Sequence, residues 1–178
     1  MSIIYTIGHS TRPLPEFIAV LRSFQIQILC DIRTIPKSRR NPQFSRDVLE
    51  QELPKHGIAY IHVKALGGLR RPRMDSPNSG WRNESFRGYA DHMQTQEFLS
   101  ALDDLVRRGE QNRVAIMCAE AVPWRCHRSL VADALLVRGI EVEDIMAESR
   151  AKPHKLTAWA EVNGINITYP ARNLSPDL

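Results

Sequence analysis

Val114-Ala115-Ile116-Met117, followed at once by Cys118-Ala119-Glu120-Ala121-Val122-Pro123-Trp124-Arg125-Cys126-His127-Arg128, is the stretch on which the reading of this chain turns. The apolar run reads as a buried strand. Leu130, Val131, Ala134 and Leu135 then recur at helical spacing, and Gly139 reads as the helix stop. Between strand and helix lies a short loop carrying two thiols, a carboxylate, an imidazole and two guanidiniums. Such a concentration of reactive groups at a strand-to-helix junction marks a place where chemistry can sit.

The same strand-then-helix unit recurs outward from this stretch. Ile3 to Ile7 reads as a strand ending in Gly8-His9-Ser10, and Leu14, Phe17, Ile18, Leu21 and Phe24 follow at helical spacing behind Pro13 and Pro15. Ser10 or Thr11 is a candidate cap for that helix. Ile26 to Ile32 is a second buried strand, ending in Asp31-Ile32-Arg33. Ser45 is a candidate N-cap for a helix through Leu53, stopped by Pro54 and Gly57. Ile58 to Val63 reads as a third strand, leading to Leu66-Gly67-Gly68. The stretch from Leu69 to Phe86 reads as irregular, and Phe98 to Val106 as a helix closed by Gly109. Beyond Gly139, Val142 to Met146 reads as a strand, Leu156 to Val162 as a short helix and Ile165 to Tyr169 as extended. Continuous apolar strands alternating with amphipathic helices imply an α/β fold of three layers, a mainly parallel sheet with helices on both faces. A partial β/α barrel is the alternative. In either architecture ligands bind at the carboxyl ends of strands. Gly8-His9-Ser10, Asp31 with Arg33, Gly67-Gly68, and Cys118 through Arg128 should therefore meet at one cleft.

A length of 178 residues fits a single domain, 1–178, with a basic, lid-like insertion at about 69–87. No apolar run is long enough for a membrane span, and the start of the chain does not read as a signal peptide. Three cysteines form no disulfide framework, so the expected home is the cytoplasm. The net charge of +4 is unevenly placed. Arg33 to Arg46 holds five cations and no acid, and Lys64 to Arg87 holds six cations against two acids, which leaves the rest of the chain net acidic. Cations gathered into two irregular segments favour an anionic partner.

Cys126 and His127 fall at the expected first turn of the fourth helix. Free N–H groups and the helix dipole there lower a thiol's pKa and bind anions. Cys126 is thus a candidate nucleophile, with His127 or His9 as proton-transfer partner, or else a buried capping residue. Cys118 reads as core filling. Glu120 must pair with a cation, for which Arg33 and Arg128 are candidates, or bind a ligand, or reach water. An ion pair and acid/base work are both open to it. Asp31 and Arg33 share one side of a strand end and can bridge each other. Pro36 to Phe44 adds Ser38 and Arg39, groups that suit a phosphate or nucleotide. The Cys-x7-Cys-His spacing lacks the close pairs of a zinc site or a redox Cys-x-x-Cys, so no metal is expected. No glycine-rich dinucleotide fingerprint or phosphate loop occurs, and no cofactor is expected.

Thr6-Ile7-Gly8-His9-Ser10, Asp31-Ile32-Arg33 with Pro36 and Ser38, Phe44, Leu66-Gly67-Gly68, and Cys118-Ala119-Glu120 with Cys126-His127-Arg128 together resemble the family called domain of unknown function 488. The motifs run in the family's order from about Thr6 to Ile145. Ile32 stands where Val is common. The resemblance implies an α/β domain and one shared cleft, and it lends no reaction. The leading expectation is an enzyme or binder for a small anionic ligand, phosphate- or nucleotide-bearing, of the Cys/His/Glu transferase or hydrolase type. Cys126, His127, Glu120 and His9 would be its catalytic groups. Gly8, Ser10, Asp31, Arg33, Ser38, Arg39, Gly67, Gly68 and Arg128 would bind the ligand. A nucleic-acid-binding module, using segments 33–46 and 64–87 with Phe44, Trp81 and Phe86, is the alternative. A non-catalytic interaction protein is the third. The oligomeric state is not legible.

Overall fold

The structure, a computed structural model, describes residues 2–172, so the ends of the 1–178 domain fall outside it. Six strands form one open sheet in the order β3-β2-β4-β1-β5-β6. They are β1 (Ile3–Gly8), β2 (Ile28–Asp31), β3 (Ala59–His62), β4 (Val114–Cys118), β5 (Glu141–Ala147) and β6 (Arg150–Pro153). The first five are parallel, and β6 is antiparallel to β5. The open edges at β3 and β6 set aside the barrel alternative.

Each central strand is apolar on both faces because both are covered. Tyr5, Ile7, Leu29, Ala115 and Met117 pack on one side with Phe17 and Leu21 of α1 (Leu14–Ser23) and Leu49 of α2 (Arg46–Glu52). Ile4, Cys30, Ile116 and Cys118 pack on the other with α3 (Glu84–His92), α4 (Gln96–Gln111) and α5 (Arg128–Leu136). Alternate residues of one strand therefore feed two cores, which is the three-layer α/β arrangement. The helix after β1 covers one face and the helix after β4 covers the other, so the adjacent β1 and β4 diverge at their carboxyl ends. A crevice must open there.

Several local expectations need correction. Leu156–Val162 is not a helix: it holds a turn and then β7 (Glu161–Asn163), which pairs with β8 (Asn166–Thr168) as a small hairpin. Val162 is 46% exposed, so the apolar spacing that mimics a helix there buries little. The irregular segment ends earlier than Phe86, because α3 starts at Glu84. Asn83 caps that helix, its side chain accepting from the N–H groups of Ser85 and Phe86. Gly109 does not stop α4. It lies inside the helix against Ile4, where a Cβ would come within 3.1 Å of that side chain. The cap residue of α1 is Pro13, without a side-chain bond, so neither Ser10 nor Thr11 serves. Ser45 does occupy the cap position of α2, although its hydroxyl makes no capping bond. The strand β6 was not anticipated.

The stretch between β3 and α3 is tied down by one carboxylate. Asp91, buried on α3, accepts from the Arg73 N–H at 2.8 Å, the Ser76 hydroxyl at 2.6 Å and the Asn78 amide at 2.7 Å. Trp81 stacks on Phe86 at 4.9 Å and meets Trp159 edge-on at 4.9 Å.

Candidate functional site

Parallel pairing of β1 with β4 sets Gly8 opposite Cys118. The ladder runs on past the strands, with His9 N–H donating to the Cys118 carbonyl at 2.9 Å and Ser10 N–H to that of Ala119 at 2.9 Å. On the other flank of β4, Ile32 N–H donates to the Met117 carbonyl at 3.0 Å. These bonds hold three strand ends level. A cavity of about 410 Å³ opens above them. His9, Arg33, Gly68, Cys118, Glu120, Cys126 and His127 all line it, so the four segments singled out in the sequence meet here. Thr34, Ile35, Lys37, Ser38, Leu69, Phe86, Tyr89 and Arg125 complete most of the wall.

Close approach at this junction depends on glycine. A Cβ on Gly8 would lie 1.8 Å from the Glu120 carbonyl oxygen, and one on Gly68 3.1 Å from His127 Nδ1. Gly67 faces Thr34 in the same way, and the Thr34 hydroxyl donates to the Gly68 carbonyl at 2.7 Å. Because the obstacle at Gly8 is backbone, Gly8→Ala is expected to push the Glu120–Ala121 loop off β1 and cost about 3 kcal/mol. Denaturant melts check this, and an unchanged midpoint would show that the loop can give way freely.

Arg128 lies behind the cavity rather than in it. Its side chain runs inward from the start of α5 and is fully buried. Its Nη1 donates to Cys118 Sγ at 2.8 Å and to the Glu120 carbonyl, Nη2 to the Ala121 carbonyl at 3.0 Å, and Nε to the Thr6 hydroxyl at 3.3 Å. Among the described residues no carboxylate pairs with it directly. A buried guanidinium needs a counter-anion, and among the described residues Cys118 is the one group it touches that can become one. Burial alone would push the Cys118 thiol up. The neighbouring Cys126 thiol and the charge and hydrogen bond of Arg128 outweigh that and lower it to about 7. Cys126 goes the other way, raised by the neighbouring Cys118 and by burial. Cys118 is therefore not simple core filling: it packs under α5 and also lines the cavity.

The start of α5 is not an open anion site. Arg128 N–H donates to Cys126 Sγ at 3.5 Å, Ser129 N–H to the Cys126 carbonyl at 3.0 Å, and Leu130 N–H to the His127 carbonyl at 3.0 Å. The chain consumes its own donors there. His127 occupies the cap position. Its Nε2 donates to the Ile32 carbonyl at 2.9 Å, which leaves Nδ1 bare, 3.6 Å from Cys126 Sγ. Burial holds its pKa down at about 4 despite that bond.

His9 is likewise neutral. It stacks on Phe44 at 4.2 Å, its Nδ1 donates to the Ser10 carbonyl at 2.7 Å, and Arg33 Nη1 approaches its Nε2 at 3.4 Å. Burial lowers its pKa to about 4, against the Ser10 bond and with help from the Arg33 charge. Ser10 itself adopts a positive φ of 51° at this bend. Arg33 forms a two-point pair with the fully buried Asp31, Nε to Oδ1 at 2.9 Å and Nη2 to Oδ2 at 2.6 Å. Tyr60, which the sequence did not single out, donates to the same carboxylate at 2.6 Å.

Glu120 pairs with neither Arg33 nor Arg128. Its side chain is exposed at the rim, and among the described residues its carboxylate accepts only a long 3.4 Å bond from Val122 N–H. Ser38 lines the cavity and accepts from Asn41 N–H at 2.9 Å. Arg39 lines a neighbouring depression instead. Phe44 is fully buried, so one of the rings invoked for base stacking is not presented to solvent, and Trp81 is half-buried among aromatics. The described residues contain no cluster of ligands arranged for a metal ion, and none of their helices is long and apolar enough to cross a membrane.

An open, mostly parallel sheet whose central strands end in a thiol-bearing crevice defines this as an α/β protein with a candidate site at the strand switch. The chain belongs to the family described as domain of unknown function DUF488, whose model matches residues 13–135. No curated protein and no solved structure matches it at a significant level.

Proposed function

We propose that the chain is a cysteine-dependent enzyme acting on a small anionic ligand, phosphate- or nucleotide-bearing, and that Cys118 rather than Cys126 is its nucleophile. The observation that carries the reading is the buried Arg128 guanidinium held 2.8 Å from Cys118 Sγ at the floor of the cavity. A thiolate balanced by a fixed cation is nucleophilic at neutral pH, whereas an inert buried thiol needs no such partner. Cys30 is the contrast within the chain: burial pushes it up to about 12, and no cation touches it closely.

Support for an anionic ligand comes from the rim. The Lys37 and Arg125 side chains are exposed, line the cavity, and make no ion pair among the described residues. Ile35, Leu69 and Phe86 give the same cavity an apolar wall. A ligand with an anionic end and a flat apolar body fits both. Arg33 contributes positive potential while its fork is held by Asp31. His127 Nδ1 and Glu120 are the groups placed to move protons.

Isothermal titration with adenosine monophosphate and with inorganic phosphate tests the reading. Lys37→Ala and Arg125→Ala should each weaken binding roughly tenfold, since a charge-assisted contact contributes about 1.5 kcal/mol or more. Binding that both variants leave unchanged, or no binding of either probe, would count against an anion site here.

A further inference from the structure

Cys118 and Cys126 are separated by seven residues, a spacing that by itself indicates no redox pair. In space the intervening loop folds back on itself. Both cysteines line the cavity, and the ionisation of each is tied to the other. Arg128 touches both: its side chain donates to Cys118 Sγ at 2.8 Å and its backbone N–H to Cys126 Sγ at 3.5 Å. His127 Nδ1, bare and 3.6 Å from Cys126 Sγ, faces the second sulfur as an acceptor. Cys126 has an extended backbone, φ −133° and ψ 145°, just ahead of α5. It can therefore shift toward Cys118 without unwinding the helix.

We propose that Cys118 and Cys126 form a reversible disulfide when a hydroperoxide enters the cleft, with Cys118 as the attacking sulfur and Cys126 as the resolving one. The inference rests on the reading of Cys118 as the ionised thiol of the site. The thiolate attacks one peroxide oxygen. The S–O bond forms as the O–O bond breaks, and the leaving alkoxide or hydroxide takes a proton from solvent. Cys118 is then a sulfenic acid. Cys126 attacks that sulfur as its proton passes to His127 Nδ1. The S–S bond forms, the S–O bond breaks, and the departing hydroxide takes up the proton as water. Two thiols are oxidised by two electrons and one peroxide is reduced to an alcohol or water. A small dithiol restores the pair by exchange. While it lasts, the disulfide removes the nucleophile and leaves Arg128 without its anionic partner, so peroxide would silence the site.

The full chain is exposed to a slight excess of hydrogen peroxide and followed by intact mass and by counting thiols after denaturation. The wild type should lose two of its three thiols, become lighter by two hydrogens, and recover fully with dithiothreitol. Cys126→Ser, and separately Cys126→Ala, should instead gain one oxygen at Cys118. Cys118→Ser should keep both remaining thiols at the same dose. A wild type that gains oxygen at Cys118 without ever losing hydrogens overturns the resolving role while leaving the thiolate reading standing. A Cys118 that stays reduced, and whose alkylation shows no inflection near neutral pH, overturns both.

Discussion

Replacing Arg128 by Met should slow alkylation of Cys118 at pH 7 by more than about tenfold. With its pKa lowered to about 7 by Arg128 and Cys126, this thiol should be substantially ionised at neutral pH. An unassisted thiol, with a pKa of about 8.5, is only about 3% ionised there. Burial would push the variant's thiol higher still, because desolvation is the largest influence acting on it. Met keeps length and packing while removing the charge and the donors. It also removes a buried cation, so the stability cost should stay near 1–3 kcal/mol, the expense of the Glu120 and Ala121 carbonyls left without partners. The clean readout is the pH profile of iodoacetamide labelling, resolved by mass at each cysteine. The wild type should inflect near 7 and the variant above 8.5. Coincident profiles would mean that the guanidinium does not hold the thiolate.

His154→Ala should destabilise the fold by about 3 kcal/mol at pH 6, and that deficit should shrink above pH 9. The His154 imidazole bridges two carboxylates, with Nε2 3.0 Å from Asp133 and Nδ1 3.1 Å from Asp144. Tyr169 donates to Asp133 at 2.8 Å, and Thr6 to Asp144 at 2.5 Å. Burial alone would lower the His154 pKa, but the bonds to Asp133 and Asp144 raise it to about 9. A folded-state pKa raised above 6.5 means that protonation favours the folded chain. Its contribution is complete below about pH 6.5 and is lost as pH rises through about 9. Removing the ring takes away the cation shared by two buried carboxylates, leaving them only the hydrogen bonds from neutral donors such as Tyr169 and Thr6. Urea melts of both proteins from pH 6 to pH 10 measure the gap. A gap that stays constant across that range would show that the imidazole acts only by filling space.

The parts of the fold that could be read from the chain are those whose burial is uniform. Val114–Met117 and Ile28–Cys30 are covered on both faces, so their apolar runs are unbroken. Strand β6 was silent because Arg150 to Pro153 is largely exposed and pairs on one side only. Helix α3 hid behind polar letters. Its inward face includes Gly88, Asp91 and His92, and Gly88 is needed because a Cβ there would meet the Arg70 carbonyl at 2.2 Å. The candidate site was legible in position, since strand ends in a parallel sheet must converge. Which of its two thiols the Arg128 side chain reaches was not, because that depends on how the side chain runs inward from the start of α5. Lys37 was visible as a charge and Leu69 as an apolar letter, but nothing local placed them on one rim. Leu69 sits there with a positive φ of 59° and 77% exposure, a conformation its side chain does not favour.

The order of strands carries a consequence for how the molecule can be divided. The family match spans 13–135 and so begins after β1 and stops short of β5. Yet β1 is the strand inserted between β4 and β5. Thr6 on β1, Asp144 on β5 and His154 beyond β6 form the hydrogen-bonded chain that backs Arg128. A fragment trimmed to the matched span would leave β4 as a raw edge and open the guanidinium to water from behind. Cys118 and Cys126 belong to the matched segment, and the seal that keeps the Arg128 cation dry is stitched from the residues on either side of it.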